Sequence, residues 1–201
     1  LHRVDRRQRQ MCIRDSQTDA GVELRVHPTL VPERSLIAGV NDVANAIMVN
    51  ADAVGTTLFS GPGAGAEPTA SSVIADIVDV ARAMDSYPDS WVPALGCSPS
   101  VIEPRTLMNI EDVETGFYIR FSALDKPGVL SDVTKIMGDA GISIEAIIQR
   151  EQPAGERYVN VIILTNVTKE KCLNEAVTHI EHLETVRGEV SFIRVEYLDQ
   201  V

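Results

Sequence analysis

Residues Val22-Glu23-Leu24-Arg25-Val26 alternate apolar and polar with period two, the signature of a strand with one buried face, and Pro28 and Pro32 then restrict its continuation. Apolar runs at residues 44–49 and 54–59, separated by Asn50-Ala51-Asp52-Ala53, predict two strands joined by a short turn. After Gly61-Pro62-Gly63-Ala64-Gly65 the period changes. Val73, Ile77, Val80 and Met84, flanked by Ile74, Val78 and Ala81, mark one face of an amphipathic helix that Thr69 or Ser71 can cap. From residue 86 to 110 the periodicity fades and Pro88, Pro93, Pro99 and Pro104 recur, which predicts an irregular linker, with Trp91 and Leu95 available to pin it to a neighbour.

A new pattern then appears twice. Residues 117–123 are strand-like. Residues 127–140 are helical, with Val129, Leu130, Val133, Ile136 and Met137 on one face, and residues 142–148 are strand-like again. The second copy runs from a strand at 158–164 through a helix at 169–183, with Leu173, Ala176, Val177 and Ile180 inward, to a strand at 188–196. This βαββαβ order predicts a four-stranded antiparallel sheet with two helices on one face, the ferredoxin-like arrangement. The punctuation agrees: Asp125 can cap the first helix, Pro127 sits in its first turn and Gly141 stops it, while Thr168 opens the second. The fold class is therefore α+β.

Composition adds limits. The 44% hydrophobic and 23% charged content is that of a globular protein, and no apolar run approaches the roughly 20 residues of a membrane-spanning helix. Cys12, Cys97 and Cys172 fit neither a metal pattern nor a paired disulfide framework, which points to a reducing cytoplasm and to no metal site. The net charge is −11. Residues 1–16 hold five Arg against two Asp, so the remaining 185 residues carry −14 and would repel nucleic acid. Residues 6–16 back-translate without a break to a transposase sequencing-library adapter, so residues 1–16 are set aside as a disordered, non-native stretch, and the natural gene is expected to continue upstream.

The glycine-rich turn feeding a helix start is open to two readings. Backbone N–H groups and the positive end of the helix dipole could receive an anion, or the glycines could serve only a tight connection. The spacing is neither that of a dinucleotide-binding GxGxxG loop nor that of a phosphate loop. Residues 22–32 (VELRVHPTLVP), 36–49 (LIAGVNDVANAIMV) and 52–79 (DAVGTTLFSGPGAGAEPTASSVIADIVD) together resemble the closing part of the substrate and dimerisation domain of homoserine dehydrogenases. The resemblance implies NADP- or NAD-dependent interconversion of L-homoserine and L-aspartate 4-semialdehyde in the complete enzyme. It also implies a cofactor contact at Gly65, with Gly63 and Ala64 as adjacent candidates. The family's dinucleotide-binding domain and catalytic Lys have no counterpart here, so no catalytic residue is assigned and the chain alone is expected to be inactive. His27, at a strand end before Pro, is read as structural or merely solvated and is assigned no catalytic role.

Leu124-Asp125-Lys126-Pro127-Gly128-Val129-Leu130, between a strand and the first helix of the repeat, resembles the ligand loop of ACT domains, which bind amino acids, usually between paired copies. The resemblance implies an effector site at Asp125, Gly128, Val129 and Leu130. Amides at the helix start would hold the carboxylate and Asp125 would meet the ammonium. The expected organisation is residues 17–88 from the dehydrogenase domain (three strands and a helix), a linker at 89–116 and an ACT domain at 117–198. The expected partners are threonine as effector and further copies of the chain through both domains. The rival reading is an ACT module of another amino-acid biosynthetic enzyme, such as an aspartate kinase.

Overall fold

The computed structural model describes residues 7–84, 96–149 and 156–197, with backbone alone for 7–12. The chain divides into two compact units, residues 1–33 with 106–201, and residues 34–105.

The first unit is built on strand β5 (Glu114–Leu124), whose inward residues Phe117, Ile119, Phe121 and Ala123 are all buried. Their alternation puts one face of the strand under helices α2 (Val129–Asp139) and α3 (Glu170–Glu181). Val133 and Met137 of α2, and Leu173, Ala176 and Ile180 of α3, complete a core that excludes water. Phe117 and Phe192 meet edge to face, their ring centres 5.9 Å apart. β7 (Tyr158–Thr165) and β9 (Val186–Val195) flank β5 antiparallel, and β6 (Ile144–Gln149) pairs with β7. This is the expected βαββαβ order, with one addition: β8 (Thr168–Lys169) pairs with the start of β5.

The helix ends differ from expectation. Asp125 does not cap α2; the cap is Gly128 in the left-handed region, φ 98°, and Pro127 precedes the helix. A side chain three residues ahead of the cap cannot reach the first amides once the chain has turned there. Thr168 is drawn into β8, leaving Lys169 at the cap of α3. Gly141 does end α2, with its amide and that of Ile142 bonded to Gly138 and Met137.

The sheet continues past the repeat. β2 (Gly21–Pro32) lies parallel to β9, pairing Thr29 with Arg194 and Leu30 with Val195, and β1 (Arg7–Thr18) pairs with β2 along its whole length. Two expectations change here. Residues 7–16 are not disordered: main-chain hydrogen bonding of a hairpin asks little of side-chain identity, so this Arg-rich stretch serves as a strand. And β2 buries Glu23, Arg25, His27 and Thr29 while Leu24 and Val26 stay 57% and 69% exposed, because the face turned inward meets charged partners instead of an apolar layer.

The second unit holds the hairpin of β3 (Ala44–Ala51) and β4 (Gly55–Pro62) and helix α1 (Ala66–Met84). The three strands foreseen for residues 17–88 thus fall into different units. Thr69 and Ser71 lie inside α1, with the Thr69 amide bonded to the carbonyl of Gly65. None of the residues of α1 is buried, so the apolar face formed by Val73, Ile77, Val80 and Met84 is exposed. Trp91 and Leu95 lie outside the described residues.

These packings predict an asymmetry measurable by urea unfolding. Leu173→Ala, at a site with no exposure, should cost about 2–5 kcal/mol, whereas Val80→Ala on the open face of α1 should stay within about 0.5 kcal/mol.

Candidate functional site

β5 ends where the chain leaves the sheet at Leu124, and the loop to α2 closes over a cavity of about 150 Å³. Asp125, Lys126, Pro127, Gly128, Val129 and Leu130 line it from the loop and helix start, Gln149 from the end of β6, and Ala123, Val159 and Val161 from the sheet. All four residues expected to hold an effector, Asp125, Gly128, Val129 and Leu130, are brought together here. The loop is tied down from three directions: the Leu124 amide donates to Thr185, the Asp125 amide to Arg157 and the Lys126 amide to Leu124.

Sequence reasoning missed Gln149, whose Nε2 donates to the Asp125 carboxylate at 3.2 Å. It lies 24 residues away and reaches the loop only through the β6–β7 pairing, so no local pattern marks it. The chemistry of the cavity suits a small zwitterion. The helix-start amides of Gly128, Leu130 and Ser131 have no acceptor within α2 by helix geometry, Asp125 offers negative charge, and Val159 and Val161 give an apolar floor. A wider cleft of about 480 Å³ between α2 and α3 carries Asp139, Glu175, His179 and His182 beside Ile136 and Leu183. Among the described residues no three His, Cys, Asp or Glu side chains gather closely enough to hold a metal ion.

In the other unit, the turn between β4 and α1 presents the three residues expected near a cofactor. Gly65, at φ 132°, takes a conformation side-chain-bearing residues rarely adopt, is exposed, and delivers the chain into α1. Gly63 is different. A Cβ there would lie 1.9 Å from the Asn45 amide nitrogen, so its missing side chain makes room for Asn45. Gly63 is thus required by its contact with Asn45, whereas Gly65 is required by its backbone conformation.

His27 is a third place of chemical interest. Its Nδ1 lies 2.8 Å from the Thr29 hydroxyl and 3.1 Å from the Pro28 carbonyl, while its buried Nε2 has no hydrogen-bond partner. Burial lowers its pKa below the ordinary 6.5. Arg194 and Arg25 push the same way, against the Pro28 hydrogen bond and Glu196. The ring is buried on the inward face of β2, among the charges of Arg25, Arg194 and Glu196.

The comparisons with known proteins fall on these same places. Residues 3–78 match the sequence model of the homoserine dehydrogenase family, and residues 117–182 that of the ACT domain. The chain is thus similar to homoserine dehydrogenases in its first part and to ACT domains in its last. A homoserine dehydrogenase of Pseudomonas aeruginosa is 49% identical over 183 residues, 91% of this chain and 42% of that protein. One from Neisseria gonorrhoeae is 42% identical, over 90% of this chain and 42% of that protein. The crystal structure of a homoserine dehydrogenase from Thiobacillus denitrificans superposes with a TM-score of 0.85 at 44% identity, covering 95% of this chain and 43% of that one. A Staphylococcus aureus homoserine dehydrogenase shares the fold, with a TM-score of 0.56 at 22% identity. The chain thus spans about two fifths of the length of the relatives it matches. The dehydrogenase match takes in β1 and β2, and the turn at Gly65 lies inside it. No described helix is long and apolar enough to cross a membrane.

Two measurements check this geometry. Gly128→Ala should destabilise the chain by about 1–2 kcal/mol in chemical denaturation although open space surrounds the added methyl, because the cost is the left-handed backbone itself. The pH dependence follows from His27. A base held neutral by the fold stabilises fully above its unfolded value, and that contribution is lost as pH falls through the depressed value. Stability should therefore decline below pH 6.5, and His27→Gln should flatten the decline in melts taken between pH 5 and 7.5 on the order of half-unit steps.

Proposed function

We propose that the protein carrying this sequence interconverts L-homoserine and L-aspartate 4-semialdehyde with NADP or NAD, in the biosynthesis of threonine, methionine and isoleucine in the cytoplasm. The observation that carries this reading is the dehydrogenase match over residues 3–78, with its glycine turn opening α1. A bound nicotinamide would accept or supply the hydride. This chain's part is backbone at Gly65 and Ala64, close enough to the cofactor to help seat it. The ACT lobe is proposed to bind an amino acid between Asp125, Gly128 and Leu130, with Gln149 orienting Asp125, and threonine is the first candidate as an end product of the route. Paired copies are expected to complete that site, since β6, which supplies Gln149, is the last strand of its sheet among the described residues and has no described strand on its outer edge. The open face of α1 would be covered by the rest of the polypeptide or by a second copy.

The test has two arms. The purified chain should show no homoserine-dependent NADP reduction, because it contains no dinucleotide-binding loop; a rate near that of whole homologues would refute the assignment of cofactor binding to sequence outside this chain. Threonine should raise the melting temperature, with a stabilisation of about 2.7 kcal/mol at a concentration a hundredfold above its dissociation constant. Methionine, isoleucine, lysine and homoserine serve as controls, and if none of the five shifts the melt, the effector role of Asp125 and Gly128 is wrong.

A further inference from the structure

β9 joins the two places that matter in the first unit. At one end Thr185, just ahead of it, accepts the Leu124 amide, and Val186 pairs with Ala123, so this end forms the wall from which the pocket loop springs. At the other end Arg194 and Val195 pair with β2, and the Glu196 amide donates to the carbonyl of Leu30. Ten residues of strand separate these ends by roughly 30 Å at about 3.3 Å per residue. Midway, the pairing with β5 slips between Arg187 and Ser191, and the Val190 amide there is held by the Glu181 carboxylate of α3.

The β2 end is held by charge. Arg25, its side chain 1% exposed, ion-pairs with Glu23 and, at 2.9 Å, with Glu196; Glu196 also meets Arg14, and Arg194 is clamped by Glu170 at the start of α3. Buried pairs of this kind add little stability over apolar residues of like size, yet losing one partner is costly, so they favour one arrangement of the strands over its neighbours. Among the described residues two pairs of main-chain ladder and the Glu196–Leu30 hydrogen bond support this junction, and the Arg25–Glu196 pair adds to what holds its register.

We propose that β9 is the link through which occupation of the pocket is felt by β2, and so by the dehydrogenase segment to which β2 belongs, with Arg25 and Glu196 as positioning residues. The ligand arm of the test rests on the effector reading above, and the other arm does not. By reciprocity, a change at the junction must appear at the pocket and the reverse. In the unliganded full chain, Glu196→Gln should speed amide hydrogen exchange at Leu124 and Asp125 by about fivefold or more, while core amides of α3 keep their protection. Arg25→Lys, which keeps the charge and gives up one of two contacts, replaces it if the first variant does not fold. Unchanged exchange at Leu124 in a folded variant whose Glu196-side amide has lost protection overturns the proposal. In the unmodified chain, L-threonine should slow exchange of the Glu196 amide by a similar factor. Threonine binding seen by calorimetry with that amide unaffected overturns the link and leaves the effector site standing. If threonine does not bind, the effector reading fails and the first arm alone decides.

Discussion

Burial of the inner face of β5 under α2 and α3 is the constraint on which the first unit hangs. Phe117, Ile119, Phe121 and Ala123 reach 2% exposure or less only if both helices lie across them, and the helices can do so only if β7 and β9 flank β5 in the observed order. Once that layer closes, the exit of β5 is fixed at Leu124 and the turn into α2 must be made within four residues. Gly128 makes it in a left-handed conformation, and the cavity under the loop is the space that this abrupt turn leaves between strand ends and helix start. The pocket is thus a by-product of core packing, made chemically useful by the side chains at its rim.

The same closure leaves β9 at the edge of the repeat with its outer hydrogen-bonding groups unpaired, a liability in any sheet. β2 covers part of that edge. Strand pairing alone would tolerate a slip, and a slip of one residue would turn Glu23, Arg25 and His27 to the other face. The ion pairs of Arg25 with Glu23 and Glu196 penalise such a slip, since a displaced Arg25 or Glu196 would be left buried without a partner. Buried polarity on β2 is therefore a device for register, and it explains why Leu24 and Val26, the apolar members of the alternation, are the ones left outside.

Period and punctuation in the sequence disclose the βαββαβ repeat, because helix faces and strand alternation are local properties, while the four loop residues of the pocket follow from the resemblance of residues 124–130 to the ligand loop of ACT domains. Leu173, Ala176, Val177 and Ile180 are inward as their spacing implies. What is not legible depends on partners distant in sequence. The side of β2 that is buried is decided by Glu196, about 170 residues on; Gln149 enters the pocket through a strand pairing; and the helix caps at Asp125 and Thr168 are overridden by a left-handed glycine and a two-residue strand. The Arg-rich stretch at residues 7–16 resembles a sequencing adapter when back-translated, yet backbone hydrogen bonds, which are blind to side-chain identity, make it β1.

The two units differ in how much of their apolar surface they satisfy by themselves. The repeat buries the inner face of its central strand and the inward residues Val133, Met137, Leu173, Ala176 and Ile180 of its helices, whereas α1 buries no residue and Ile47 and Phe59 on the adjoining hairpin are more than 60% exposed. Exposed apolar faces of that size are costly in water and mark surfaces that other protein covers. A chain that spans two fifths of its relatives' length shows this asymmetry in the expected place: the ACT match lies in the unit that closes its own core, while α1 and the hairpin, within the dehydrogenase match, keep theirs open. Among the described residues, β9 is the strand of the repeat whose main chain pairs with β2, inside the dehydrogenase match.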